Sequence, residues 1–103
     1  MLKWKRNYYV GEGVKNPRRT RVKITAGKYV HDIYLLTLSD NPGNILEILP
    51  APVLMQRGAR AVCPVIIGMA KGKDEAIHMT RTLIEEVYRE TGEFKIKEYL
   101  KNR

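Results

Sequence analysis

The first 40 residues contain two patterns of apolar positions. Residues 21–25 (RVKIT) alternate polar and apolar side chains, which is typical of a half-buried strand. Residues 29–39 are rich in aliphatic, β-branched and aromatic side chains, and residues 33–38 (IYLLTL) are too continuously apolar to have one wet face. This run predicts a central strand covered on both faces. Residues 26–28 (AGK) between the two segments are short enough to form a hairpin turn.

The next segment predicts a helical connection. Asp40 or Asn41 can cap a helix, and Pro42 suits its first position because proline has no N–H to leave unpaired. The apolar residues at helical spacing are Ile45, Leu46, Ile48 and Leu49. Pro50 ends or kinks this helix, and residues 53–57 add one further helical turn. A connection of this length predicts a right-handed crossover between two parallel strands.

The most regular pattern spans residues 61–92. Residues 61–70 predict a second central strand, with Pro64 near its start because proline removes a donor from the strand ladder. Asp74 caps the long helix that follows and complements its dipole, and Gly92 suits a left-handed C-cap. The apolar face of this helix comprises Ala76, Ile77, Thr80, Leu83, Ile84, Val87 and Tyr88. Residues 94–100 form either a last strand or a short docking helix.

The order of these elements, β-β-α-β-α, predicts the α/β fold class. We expect one small mixed sheet covered by helices, with an antiparallel N-terminal hairpin and parallel central strands. A chain of 103 residues can form one compact core. We expect residues 1–19 to be a basic, partly mobile arm and residues 20–103 to be the single domain. The edges of such a sheet need to be hidden, and a two-fold interface would hide them, so we expect a homodimer.

Positive charge is concentrated near the N-terminus. The formal net charge is +8, and residues 1–30 carry nine Lys or Arg against Glu12 alone, so the remainder of the chain is nearly neutral. Such a field attracts polyanions or an acidic protein surface. No secretory signal is recognisable, and the longest nearly apolar run is far shorter than the ~20 residues of a membrane helix. Together with Cys63 as the only cysteine, which excludes an internal disulfide, these features predict a cytoplasmic protein.

Aromatic side chains are interleaved with these N-terminal cations. The cations expected to contact nucleic acid or an acidic partner are Lys5, Arg6, Arg18, Arg19, Arg21 and Lys23. The aromatic residues expected to stack on bases are Trp4, Tyr8, Tyr9 and Tyr29. No helix-turn-helix, KH or RRM signature accompanies them, so nothing predicts sequence-specific recognition. The alternative is a solvated basic strand pair or tail whose aromatic side chains cap the sheet.

The predicted strand-to-helix turn at residues 68–74 (GMAKGKD) is a second candidate site. Lys71, Gly72 and Lys73 precede a helix N-terminus, where backbone N–H groups and the helix dipole favour an anion. The segment is not a Walker A motif, because the spacing between its glycines is one residue short and Asp74 replaces the hydroxyl residue. The alternative is an ordinary βα turn with solvated lysines.

The remaining candidate chemistry is sparse. Cys63 lies in a predicted apolar strand, where cysteine usually behaves as a small hydrophobe. Glu75 and His78 have the spacing of a helix-borne metal pair, but such sites recruit a second pair that the chain lacks. The sequence therefore predicts a non-enzymatic binding or adaptor protein that needs no cofactor. Two alternatives remain: a domain that binds a phosphate or nucleotide at the turn, and a self-associating structural protein.

Overall fold

One mixed sheet organises the chain. The computed structural model describes residues 2–39 and 45–101. Its strands are β1 (Trp4–Val10), β2 (Ile33–Leu38), β3 (Leu46–Pro50) and β4 (Val65–Lys71), and their order across the sheet is β1-β4-β2-β3. β4 pairs in parallel with β1 and antiparallel with β2, and β2 pairs antiparallel with β3.

Helices cover both faces of this sheet. They are α1 (Pro17–Thr25), a 3₁₀ helix (Ala51–Met55), α2 (Arg57–Val62), α3 (Lys73–Thr91) and α4 (Ile96–Lys101). The first three pack with Leu35 and Ile66 in one apolar cluster. α3 and α4 pack with Leu36 and Ile67 in a second cluster on the opposite face. A mixed sheet between two helical layers confirms the predicted α/β fold class.

The two central strands were predicted from their continuous apolar runs, and both predictions are confirmed. In β2 the consecutive residues Leu35 and Leu36 are buried in opposite clusters. In β4 the same holds for Ile66 and Ile67. Because successive strand residues point to opposite faces, an unbroken apolar run is what a strand covered on both sides requires.

The predicted N-terminal hairpin is wrong, because residues 21–25 belong to helix α1. Asn16 caps this helix, its Oδ1 accepting from the backbone N–H of Arg19 at 3.2 Å, and Pro17 occupies a first-turn position. Ile24 is buried, whereas Val22, which the alternation placed on the same buried face, is 66 % exposed. The segment therefore follows helical spacing, and the turn at residues 26–28 ends a helix instead of joining two strands.

The predicted helix after β2 is also wrong in its described part. Residues 40–44, which include the expected caps, lie outside the described residues. Residues 46–50 form β3, and the N–H of Ser39 donates to the carbonyl of Ile45 at 2.7 Å where the chain returns beside β2. The seven residues between Pro42 and Pro50 leave little room for a helix, and aliphatic residues pair well as a strand.

Because the chain returns beside β2 as strand β3, the sheet topology differs from the predicted one. The central strands β2 and β4 are antiparallel, so the prediction of parallel central strands is wrong. β3 and β4 both run antiparallel to β2, and the 3₁₀ helix and α2 provide the crossover between them. Residues 61 and 62, expected in the strand, belong to α2, and Val62 is 78 % exposed. Pro64 then lies just before β4, where its missing N–H costs no ladder bond.

The long helix and the C-terminal segment cover the second face. Leu83 and Val87 of α3 are buried, and the helix ends at Gly92 with φ 73°, which confirms the predicted left-handed cap. Its N-cap is Gly72, so Asp74 lies in the first turn and does not cap. The segment at residues 94–100 is a docking helix, because α4 buries Ile96 and Leu100.

One carboxylate links the two ends of the chain. The hydroxyls of Tyr9 in β1 and Tyr99 in α4 both donate to Oε2 of Glu86, each at 2.8 Å. Part of the stretch expected to be an arm is thus held in the fold, since residues 4–10 form β1 and Leu2 and Val14 are buried in the first cluster. Within the described residues, no helix is long and apolar enough to cross a membrane.

Candidate functional site

Helix α1 carries four cations and no acidic side chain. Arg19 and Lys23 are four residues apart and therefore lie on one flank of the helix, since α-helices have 3.6 residues per turn. Arg21 lies on the other flank, and Arg18 is exposed. The cations predicted from the sequence as one continuous set are therefore divided between two surfaces by the helix geometry.

The flank with Arg21 forms an aromatic cluster with Trp4 and Tyr8. The guanidinium carbon of Arg21 lies 5.1 Å from the Trp4 ring centroid and 5.4 Å from that of Tyr8, within cation–π distance. The two rings are 5.4 Å apart, and Trp4 Nε1 donates to Oγ1 of Thr25 at 3.2 Å. Three predicted site residues, Trp4, Tyr8 and Arg21, are thus together. The two aromatic rings already contact Arg21 and each other.

The flank with Arg19 and Lys23 faces a cavity of about 470 Å³, which we call the basic cleft. It lies between α1, the segment before β2 and the end of β4. Its lining residues are Gly13, Val14, Lys15, Asn16, Arg19, Thr20, Lys23, Tyr29, Val30, His31, Ile33 and Lys71. Four of these side chains are cations, and none of the described lining residues is an Asp or Glu. The cleft therefore offers a concentrated positive field with no acidic side chain in its lining.

Hydrogen bonds hold one side of the basic cleft in place. Lys71 Nζ donates to the backbone carbonyl of His31 at 3.2 Å. The hydroxyl of Tyr29 and Nδ1 of His31 are 3.3 Å apart, a hydrogen bond whose donor depends on the histidine tautomer. Residues 29–31 and Lys71 are thereby linked although 40 positions separate them in the sequence.

Glu75 fixes the loop between β1 and α1 against the start of α3. Its Oε1 accepts from the backbone N–H of Lys71 at 2.8 Å, and its Oε2 accepts from that of Gly13 at 2.9 Å. A Cβ atom at Gly11 would overlap this carboxylate, so a larger residue there would displace it from its present position. Because Gly13 and Lys71 both line the basic cleft, Glu75 fixes the relative position of two parts of its lining.

The two lysines of the predicted anion-binding turn, Lys71 and Lys73, are also separated in the structure. The N–H of Lys71 is bonded to Glu75, and the N–H of Gly72 donates to the carbonyl of Asp32 at 2.7 Å. These two backbone donors are therefore already satisfied by the chain. The side chain of Lys71 lines the basic cleft, whereas Lys73 is exposed in the first turn of α3 and does not line it.

The structure thus places Arg19, Lys23 and Lys71 together in the basic cleft. Lys5 and Arg6 are on β1, outside both the cleft and the aromatic cluster; Lys5 Nζ donates to the carbonyl of Arg6 at 3.1 Å. Sequence reasoning did not assign Lys15 or His31 to a site. Arg19 and Lys23 are four residues apart, a helical spacing that the prediction of a strand at residues 21–25 left unused, whereas Lys15 lies just before the cap of α1.

Other reactive groups are poorly placed for chemistry. Burial raises the pKa of the Cys63 thiol, while the nearby Arg60 charge acts in the opposite direction. Glu75 and His78 both line a second cavity of about 300 Å³, but the Glu75 carboxylate already accepts two backbone hydrogen bonds. Among the described residues, no group of three or more His, Cys, Asp or Glu side chains is arranged to hold a metal ion.

Comparisons with protein-family models, with curated proteins and with solved structures found no match.

Proposed function

We propose that this protein is a non-enzymatic binding protein that contacts nucleic acid through the basic surface centred on α1, and that it works in the cytoplasm as a homodimer. The observation that carries the proposal is the basic cleft, in which Lys15, Arg19 and Lys23 from the N-terminal region meet Lys71 from the end of β4.

The charge of the cleft favours a phosphate-bearing partner. Four cations around one cavity attract an anion, and phosphate neutralisation releases counterions, which supplies most of the affinity of non-specific nucleic-acid binding. Contacts of this kind are made to the backbone and do not read base sequence. The proposed binding is therefore strong at low salt and tolerant of sequence.

Cys63 is not activated as a nucleophile. A thiolate is the reactive form of cysteine, and a raised pKa keeps the Cys63 thiol protonated at neutral pH. Nothing in the proposed binding requires this group to react, because cations and aromatic rings provide the contacts.

The test is a salt titration of binding, measured by fluorescence anisotropy with labelled single-stranded and duplex RNA and DNA. The double variant Arg19→Ala/Lys23→Ala is compared with Arg89→Ala/Lys101→Ala, which removes the same charge from exposed positions of α3 and α4. We expect log K to fall linearly with log salt, and the cleft variant to reduce that slope by about two. The control variant should leave the slope nearly unchanged.

Absence of binding by the wild-type protein at low salt would contradict the proposal. Equal effects of the two double variants would show that net charge alone matters and would overturn the assignment to α1. Binding of an acidic polypeptide without any binding of nucleic acid would replace the partner with an acidic protein.

A further inference from the structure

We propose that the basic cleft accommodates one nucleotide of a single strand, with its phosphate among Arg19, Lys23 and Lys71 and its base against Tyr29. This inference rests on the proposed function and specifies which form of nucleic acid the site selects. It combines three features of the cleft: its volume, the origin of its cations and the position of its aromatic side chain.

The volume of the cleft suits a small organic ligand better than a nucleic-acid duplex. A cavity of about 470 Å³ lies within the usual range of ~300–1,000 Å³ for sites that bind small organic ligands. A single nucleotide is a group of that kind. A duplex keeps its bases stacked inside a wide cylinder, so only its backbone could reach the rim of the cleft.

The cations of the cleft come from two separate elements. Arg19 and Lys23 belong to α1, whereas Lys71 ends β4, and the bond from Lys71 Nζ to the His31 carbonyl holds the lysine beside the segment before β2. A phosphate within the cleft would be approached from both elements. A contribution from Lys71 to binding is therefore expected alongside those of Arg19 and Lys23.

Tyr29 and His31 both place rings in the cleft lining, and Tyr29 offers the larger ring for stacking. It lines the cavity, it is 57 % exposed, and its hydroxyl is 3.3 Å from Nδ1 of His31, which restricts the ring. Trp4 and Tyr8 are less suited to stacking on bases because Arg21 lies over both rings. Stacking on an aromatic ring requires an unpaired base, so this side chain favours a single strand.

The experiment compares the affinities of the wild-type protein and its variants for a labelled single strand and for a blunt-ended duplex without unpaired bases. We expect Tyr29→Ala to lower single-strand affinity about tenfold, while Tyr29→Phe, which keeps the ring, stays close to wild type. Lys71→Ala should weaken single-strand binding and reduce its salt slope by about one. Lys73→Ala, the same change two residues away and outside the cleft, should have little effect.

Duplex binding should be insensitive to Tyr29→Ala. Wild-type binding that is unaffected by both Tyr29→Ala and Lys71→Ala would overturn the insertion of a nucleotide while leaving the proposed function intact. Equal sensitivity of duplex and single strand to Tyr29→Ala would also overturn it. Displacement of the strand by a comparable concentration of adenosine monophosphate would reassign the cleft to a free nucleotide. No binding of any nucleic acid by the wild type would overturn both proposals.

Discussion

Arg60 satisfies three backbone carbonyls with one side chain. Its Nη1 donates to the carbonyls of Ile24 at 3.0 Å and Leu54 at 3.1 Å, and its Nη2 donates to that of Thr25. Ile24 and Thr25 end α1, where carbonyls lack partners within the helix and a positive charge complements the dipole. Arg60 therefore joins α2 to the helix that carries the proposed binding residues.

Replacing Arg60 with alanine should lower the free energy of unfolding by about 2 kcal/mol, because hydrogen bonds from a charged donor to half-buried carbonyls would be lost. The matched control is Arg57→Ala, an exposed arginine three residues earlier on α2, which should change stability by less than about 0.5 kcal/mol. Urea unfolding followed by circular dichroism measures both. Equal losses would show that Arg60 acts only through its charge.

The loop between β1 and α1 and the start of α3 depend on each other through Glu75. Gly11 allows the loop to approach the carboxylate, and Gly13 donates to it. Lys71 donates to the second carboxylate oxygen, so one side chain fixes two connections that are far apart in the sequence. Since both connections contribute to the basic cleft, this contact determines how closely parts of its lining approach one another.

Gly11→Ala should destabilise the fold by about 1–3 kcal/mol, because the new methyl group would displace the Glu75 carboxylate from its two backbone donors. Gly58→Ala provides the control. Nothing lies within 4 Å of its added Cβ, and alanine in helix α2 should be neutral or stabilising by up to about 1 kcal/mol.

Gly11 and Glu75 also allow a double-variant test of their contact. In a Glu75→Ala background the cost of Gly11→Ala should shrink, because no carboxylate remains to be displaced, and thermal or urea unfolding of the double variant measures this coupling. Strict additivity of the two changes would contradict the assigned contact.

The helices and strands were predicted correctly from the sequence where the segment is long or is buried on both sides. β2, β4 and α3 were predicted because long apolar runs or a sustained 3.6-residue period leave one interpretation. The segments that form α1 and β3 are short, and in them an alternation and a helical stripe can coincide. In α1 the cap at Asn16 and the proline after it favour a helix. In β3 the pairing with β2 favours a strand.

The assembly of the site could not be predicted from the sequence for a related reason. Arg19, Lys23 and Lys71 were each assigned to a binding role, but to two different sites. Their meeting requires α1 to be a helix, so that Arg19 and Lys23 share a flank, and requires the chain to bring the end of β4 beside that flank. Tertiary topology supplies the second condition, and local patterns do not contain it.

The sheet as a whole has two edge strands, β1 and β3. β1 carries Lys5 and Arg6, and its register with β4 is irregular, which are features that discourage pairing between chains. β3 is regularly paired with β2, and beside it Ile48, Ile77 and Ile84 line an apolar groove of about 310 Å³. If the protein forms the proposed homodimer, β3 is the edge better suited to the interface.

Sedimentation velocity over a range of concentrations tests this proposal. We expect a dimer of the wild-type chain, and we expect Ile77→Lys to shift it towards monomer, because a charge in the groove would be costly to bury. Val62→Lys, at a residue that is 78 % exposed and outside the groove, should leave the dimer intact. A wild-type monomer at high concentration would contradict the homodimer.

The parallel pairing of β1 with β4 has a consequence for synthesis. The only neighbour of β1 in the described sheet is β4, which begins at residue 65, and its Tyr9 bonds to Glu86 still later in the chain. During translation the first strand therefore leaves the ribosome long before the segment that pairs with it. A large sequence separation between paired strands slows folding. The cationic side chains of β1 disfavour its pairing with other chains before β4 is available. Closure of the sheet consequently cannot precede the synthesis of β4.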